Sequence, residues 1–284
     1  MTDLYLLNPE AVKREFDEIG AVWPLRVFTD EQVAVYRQHL LAEISDRNLM
    51  ASDYRCKSQV LFPWMAEIVK SAAIRHYVGA VLGDDFHCWD TLFWVKEPND
   101  GKIVSYHQDA TYWNFAPKDA VTVWLAFNDV TCESGAIRYR LRSHKDKKQL
   151  EHHDVRSESN LLMRGQTAVE PETGKRPRRL MSAEVPAGHI TMHSPYIVHG
   201  SSSNTSSEPR LACGMIFAAG HVKPIANFAP ESTLWVQGED RHGHFIHDPV
   251  PTGDWDTDRG SWQAAYDRQH VNYYKMSPHD SPSP

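Results

Sequence analysis

The sequence has little of what marks secreted, membrane-bound or nucleic-acid-binding proteins. Its four cysteines, Cys56, Cys88, Cys132 and Cys213, lie far apart, and none forms a CxxC pair. That spacing argues against a disulfide scaffold and a zinc knuckle, and it suits reduced thiols in a cytoplasmic protein. No apolar run approaches the ~20 residues of a membrane-spanning helix. The opening residues, Met1-Thr2-Asp3-Leu4-Tyr5, lack the basic start and long apolar stretch of a secretory signal. With 30 Lys and Arg against 37 Asp and Glu, the net charge is −7, so general affinity for nucleic acid or an anionic membrane is not expected. The partner expected is a small-molecule substrate, with the chain acting as a monomer or homodimer.

What the chain does have is an ordinary globular balance. It is 41% hydrophobic over 284 residues, enough for a substantial core. Sixteen histidines are unusual, and histidine is the commonest metal ligand, but number alone assigns nothing. The first third reads as helical. Pro9 to Phe16 opens a helix that Gly20 stops. Thr29 and Gln32 have capping-box spacing, and Val33, Tyr36, Leu40, Leu41 and Ile44 follow at helical spacing. A third helix is expected from about Trp64 to Leu82, closed by Gly83. Strand patterns dominate from residue 86, in Val121 to Phe127, Ala136 to Leu141 and Arg210 to Ala218. Short strands separated by turns, preceded by helices, predict a β sandwich or barrel with helical buttresses.

The decisive segment is Val104-Ser105-Tyr106-His107-Gln108-Asp109. On a strand, residues i and i+2 share a face, so His107 and Asp109 are expected to project together toward one metal ion. An imidazole and a carboxylate suit Fe(II), whereas a structural zinc site usually includes cysteine. His199 is the best candidate for a third ligand. Two histidines and one carboxylate on one octahedral face leave open positions, as in non-haem Fe(II) oxygenases. A 2-oxoacid can fill two of these and dioxygen the last. Arg210 follows His199 after a turn-forming stretch, Gly200-Ser201 and Asn204-Thr205-Ser206, and is expected on the adjacent strand. Its planar guanidinium can hold the distal carboxylate of 2-oxoglutarate through two parallel hydrogen bonds.

These motifs resemble the phytanoyl-CoA dioxygenase family over roughly residues 50 to 220. They run from Lys96-Glu97-Pro98 through Tyr106-His107-Gln108-Asp109-Ala110-Thr111-Tyr112-Trp113, Val121 to Ala126, and Glu133-Ser134-Gly135-Ala136-Ile137-Arg138. Ser143-His144-Lys145, Asn160-Leu161-Leu162, Arg164-Gly165-Gln166, His199-Gly200-Ser201, Asn204 and Arg210 follow in family order. The resemblance implies a double-stranded β-helix, or jelly roll, around iron, with 2-oxoglutarate bound by Arg210, Gln108, Trp124 and Ser201. A single domain over 1–275 is expected: a helical N-terminal region (1–85), a jelly-roll core (86–220) and an extension (221–275), with the composition of 276–284 predicting a disordered tail. One departure is that the family usually has Pro-Gly where this chain has Leu141-Arg142, which questions the local turn. Related halogenases replace the carboxylate ligand with a small residue; Asp109 therefore favours hydroxylation, with succinate and carbon dioxide formed from the cosubstrate.

For the substrate, Tyr112 and Trp113 are aromatic candidates that could pack an apolar group or cage an ammonium. Asn160, Arg164, Gln166 and Lys57 are polar candidates, and Arg164 could pair with a carboxylate or phosphonate. A small zwitterion, such as an amino acid derivative or aminoalkylphosphonate, is the expected substrate, and a secondary-metabolite scaffold is the alternative. Readings from other classes are a cupin-like metal-dependent isomerase or hydrolase and a non-catalytic binding protein. Taken singly, Trp124 reads equally well as a core residue, and Ser201 as a turn residue. His152, His153, His189, His193, His242, His244 and His247 read as surface or supporting groups. The basic run Lys175 to Arg179 reads as a solvated loop rather than an import signal.

Overall fold

The computed structural model describes residues 6–154, 157–162, 166–168, 180–225 and 228–275. The basic loop expected around residues 170–179, the tail 276–284 and Arg164 lie outside the described residues. The chain divides into two compact units. One comprises residues 1–41, 93–111 and 122–214, and the other residues 42–92, 112–121 and 215–284.

Local sequence signals account for most of the early elements. Helix α1 (Pro9–Ile19) starts with the Asn8 side chain accepting from the Glu10 and Ala11 N–H groups. It ends at Gly20, whose φ of 89° is left-handed. Strand β1 (Ala21–Arg26) then interrupts what the sequence suggests is a helical region. Helix α2 (Asp30–Arg47) begins with the expected capping box: Thr29 N–H donates to Gln32 Oε1 (3.0 Å), and Gln32 N–H to Thr29 Oγ1 (3.3 Å). The expected third helix is two, α3 (Pro63–Val69) and α4 (Ala72–Leu82). Ser71 is extended (ψ 145°) and stands at the N-cap position of α4 without a side-chain capping bond, so the backbone breaks there. Apolar periodicity runs through that break unchanged, which is why sequence pattern joins the two.

The strands follow as β2 (Phe86–Lys96), β3 (Val104–His107), β4 (Phe115–Ala116), β5 (Ala120–Ala126), β6 (Ile137–Arg140), β7 (His152–Asp154) and β8 (Gln166–Ala168). Next come β9 (Met181–Ala183), β10 (His189–His193), β11 (Val198–Ser201), β12 (Arg210–Ala219), β13 (Lys223–Pro224), β14 (Ser232–Gln237) and β15 (Ile246–His247). Helix α5 (Trp255–Lys275) closes the described chain.

The first unit is the jelly roll. One sheet runs β1-β10-β5-β12-β2, and the other β3-β11-β6-β9. Inward residues from both sheets form one core: Ala21, Trp124, Ala126 and Ala212 from the first, with Ile137, Tyr139 and Ala183 from the second. Gly200 on β11 is required by close approach, since a Cβ there would lie 2.7 Å from Val104 O and 2.8 Å from the Tyr106 ring. The turn after β6 keeps its shape without the family's glycine. Arg142 takes a left-handed φ of 68°, and Ser143 Oγ donates to Arg140 O (2.7 Å) and accepts from Val198 N–H (2.8 Å). That conformation costs a non-glycine residue roughly 1–2 kcal/mol.

In the second unit, β14 pairs antiparallel with β2 and parallel with β15. An aromatic cluster of Trp89, Trp113, Phe115 and Phe245 forms its core. The C-terminal helix is tied in by Trp262 Nε1, which donates to Cys56 O (2.9 Å).

Candidate metal centre

Sheet register brings the first two ligands together. His199 on β11 lies directly opposite His107 on β3, and their ring centroids are 4.2 Å apart. Asp109 arrives differently from the sequence expectation. Strand β3 ends at His107, and Asp109 opens a 3-10 turn, Asp109–Thr111. The turn, not strand alternation, aims the carboxylate back, and Ala110 N–H pins it by donating to Pro195 O (3.0 Å). One ligand atom from each of His107, Asp109 and His199 lies within 4.8 Å of the others. Among the described residues it is the only such group of three.

The protonation pattern suits a metal. His107 Nδ1 lies 2.8 Å from Ser105 O, and His199 Nδ1 lies 3.1 Å from Ile197 O. A carbonyl oxygen only accepts, so each Nδ1 carries a proton and Nε2 is the nitrogen left to face a metal. Both Nε2 atoms face Asp109 Oδ1, at 3.3 and 3.6 Å. Burial, then the neighbouring His107, holds His199 well below its ordinary pKa, so it is neutral near neutral pH. For Asp109, burial acts upward, but His199, His107 and His193 overcome it and hold the carboxyl well below the carboxylate range. A donor set of two imidazole nitrogens and one carboxylate oxygen fits Fe(II) by donor chemistry.

Two supporting histidines carry no motif in the sequence and are recognisable only from what they meet in space. His193 is buried, with Nε2 3.2 Å from Asp109 Oδ2 and Nδ1 2.9 Å from the Tyr139 hydroxyl. His152 Nδ1 donates to Leu150 O (2.9 Å), so its Nε2 can accept the Gln108 N–H (3.1 Å) and hold the backbone between His107 and Asp109.

A second polar subsite surrounds Arg210. The expected strand neighbour is corrected here: β12 belongs to the sheet opposite β11, between β5 and β2. The turn after β11 crosses the sandwich instead of forming a hairpin. Arg210 is fully buried, its guanidinium 5.2 Å from the Trp124 ring. Nη1 donates to Gly135 O (2.7 Å), while Nε has no hydrogen-bond partner. Lys96, absent from the site expected from sequence, is buried beside it and donates to Ser201 Oγ (2.7 Å) and to Ser202 O. Burial, then the Arg210 charge, pushes the Lys96 ammonium down to about 6; burial lowers Arg210 to about 10. Among the described residues, neither side chain makes an ion pair, although the Asp100 carboxylate acts on both from further away. A desolvated guanidinium with an orphaned N–H, beside a buried lysine amine, fits an anionic ligand group. Ser201 links the subsites, because it follows His199 by two residues on β11 and shares its face.

The remaining expected residues fall elsewhere. Gln108 is buried with its amide committed to backbone: Nε2 donates to Lys148 O (3.0 Å) and Tyr196 O (2.7 Å), and Oε1 accepts from Leu150 N–H (2.7 Å). Asn160 lies against β3, with Nδ2 donating to Ser105 Oγ (2.9 Å). Gln166 is on β8. Tyr112, Trp113 and Lys57 belong to the second unit. There Trp113 stacks on Phe115 (5.2 Å), and the Lys57 ammonium donates to Trp89 O (3.0 Å) and Ser232 O (2.8 Å). His242 and His244 stack in the open, and His247 pairs with Asp240 (2.8 Å).

A family model described as Phytanoyl-CoA dioxygenase matches residues 6–212. Among curated proteins, a phytanoyl-CoA dioxygenase domain-containing protein 1 homolog of Caenorhabditis elegans is 27% identical over 152 residues, 52% of this chain and 50% of that protein. A probable alpha-ketoglutarate-dependent hypophosphite dioxygenase of Stutzerimonas stutzeri is 24% identical over 184 residues, 62% of each chain. The chain thus spans between half and two thirds of the length of these two relatives. Among solved structures, the apo form of the non-heme monooxygenase ThoJ shares the fold, with a TM-score of 0.82 and 21% identity over 94% of this chain and 99% of that one.

Proposed function

This chain belongs to the phytanoyl-CoA dioxygenase family, and on that premise we propose that it is an Fe(II)- and 2-oxoglutarate-dependent dioxygenase that hydroxylates a small polar or zwitterionic metabolite. The observation that carries this reading is the convergence of His107, Asp109 and His199 in a unit that also buries Arg210 and Lys96 side by side. His107 and His199 would hold iron through Nε2 and Asp109 through Oδ1. The iron and its cosubstrate supply oxidative decarboxylation to succinate and carbon dioxide, with oxygen insertion into a C–H bond.

The protein's own contribution is binding, orientation and exclusion of water. Arg210 and Lys96 would take the distal carboxylate of 2-oxoglutarate, with Ser201 completing the contact. The two residues from His199 to Ser201 advance about 7 Å along the strand, a span on the scale of a five-carbon diacid. Trp124 covers the guanidinium and keeps water from it, which strengthens the charge pairing. Gln108 acts through structure: its amide clamps the loop at Lys148 and Leu150 to the ligand turn.

The substrate class draws on two things. A relative of this chain is named for a small phosphorus oxyanion. Asn160 also sets a polar amide against Ser105, two residues before His107. Amino acid derivatives and aminoalkylphosphonates are the candidates. Four scattered free cysteines support a cytoplasmic setting. No described helix is long and apolar enough to cross a membrane.

The test is an anaerobic titration with Fe(II) and 2-oxoglutarate, read by the metal-to-ligand absorption band, followed by succinate formation across a substrate panel. The band should appear only with both present, and zwitterions should shift it and stimulate turnover. Turnover driven solely by hydrophobic scaffolds would overturn the substrate class. Activity that survives omission of 2-oxoglutarate would overturn the reaction and point to a metal-dependent isomerase or hydrolase.

A further inference from the structure

We infer that His193 is a positioning residue that holds Asp109 as a one-oxygen ligand and leaves its second oxygen closed to metal; the inference rests on the metal-site reading above. His193 and Thr122 are direct cross-strand partners on β10 and β5. Both reach across the sandwich to the same atom: Thr122 Oγ1 donates to Asp109 Oδ2 at 2.6 Å, and His193 Nε2 lies 3.2 Å from it. The histidine ligands face the other oxygen, Oδ1. The two carboxylate oxygens are therefore assigned separate duties by two different sheets.

The tautomer of His193 is set from its far side. Tyr139 on β6 sits opposite His199 in the register of the smaller sheet, and its hydroxyl lies 2.9 Å from His193 Nδ1 and 2.8 Å from Thr191 Oγ1. A consistent chain of donors runs from Thr191 to Tyr139 to His193 Nδ1, which leaves the proton on Nε2 to donate to Asp109. Thr191, Tyr139 and His193 are all buried, at 0, 0 and 1% exposure, so no water can take over these bonds. The layer crosses between the sheets twice. An Asp109 released from Oδ2 could turn and bind through both oxygens. It would then occupy a coordination position that a bidentate cosubstrate needs.

The experiment measures Mn(II) affinity by electron paramagnetic resonance in the full chain, with anaerobic Fe(II) and 2-oxoglutarate binding read from the absorption band. His193→Phe should weaken Mn(II) binding by roughly 10–100-fold, the scale on which outer partners of metal ligands act. His193→Gln, which keeps an N–H at the same reach, should recover most of that loss. Tyr139→Phe and Thr122→Val should each weaken binding by a smaller factor. Mn(II) affinity of His193→Phe equal to the wild type overturns the inference. If circular dichroism shows that His193→Phe does not fold, Tyr139→Phe and Thr122→Val decide: wild-type affinity in both overturns it as well. His199→Ala separates the two readings. Should it bind Mn(II) like the wild type, the metal site itself is wrong; should it lose binding while His193→Phe keeps it, only the positioning role fails.

Discussion

Each unit of the molecule buries ionisable groups, and the two do opposite things with them. In the first, Asp109 stays charged because its histidine neighbours outweigh the effect of burial, and its Oδ1 faces the Nε2 atoms of His107 and His199. In the second, burial pushes Asp90 and Glu231 upward. Their oxygens are taken by structural donors. Lys57 N–H and Gln269 bind Asp90, while Trp89 Nε1, Asn114 and Asn272 bind Glu231. Lys57 itself is committed to two carbonyls and an ion pair with Asp248 at 3.7 Å. Burial of charge is therefore no mark of a site. What marks one is ligand atoms of three residues converging within 4.8 Å of one another.

Four perturbations test this contrast. The largest effect is expected from His199→Ala, which should reduce succinate formation by roughly a thousand-fold or more and abolish the Fe(II)/2-oxoglutarate band, because two ligands cannot hold the metal in an open facial geometry. Unchanged turnover in that variant would remove the first unit's claim to the chemistry. Lys57→Met comes next and should act on stability alone. Breaking a buried ion pair from one side costs about 3–5 kcal/mol, seen as a lower midpoint in urea, while the folded enzyme keeps its Fe(II) affinity. A normal midpoint with lost activity would instead move Lys57 into the site.

Arg210→Ala should raise the Kd for 2-oxoglutarate by roughly 10–100-fold, the equivalent of the ~1.5–3 kcal/mol of a charge-assisted bond, without changing Mn(II) affinity. Isothermal titration with each ligand checks it, and equal losses for both would mean collapse of the sheet rather than loss of a subsite. The smallest effect is a pH slope. Lys96 has a folded pKa of about 6, below the unfolded value of ~10.4, so the folded state binds fewer protons between them. Its contribution to stability is full above the unfolded value and lost as pH falls toward 6. The thermal midpoint of the ligand-free protein should therefore rise with pH across this window, and Lys96→Met should flatten the rise.

Some of this is open to inspection in the sequence, and the reason differs from element to element. The Thr29–Gln32 cap, the Gly20 stop and the alternation of β5 and β12 depend on neighbours along the chain, so spacing shows them. The triad is legible because three ligand-type residues stand in a known order. The break at Ser71 is not, since the apolar pattern continues across it. Nor is the turn at Asp109, because strand alternation and a 3-10 turn can both bring His107 and Asp109 together. Lys96 belongs to a recognisable motif, but its place in the site shows only when Arg210 and Ser201 close around it.

Donor chemistry is written in the chain itself: which residues can offer nitrogen, oxygen or a guanidinium, and in what order. Folding in three dimensions selects which of sixteen histidines matter, turns one oxygen of Asp109 toward the ligands, and commits Lys57 to holding a core together. It does so because a side chain's protonation and direction are set by what is packed against it. For His193, Asp109 and Lys57 those neighbours stand on elements distant in sequence, brought together by register and burial.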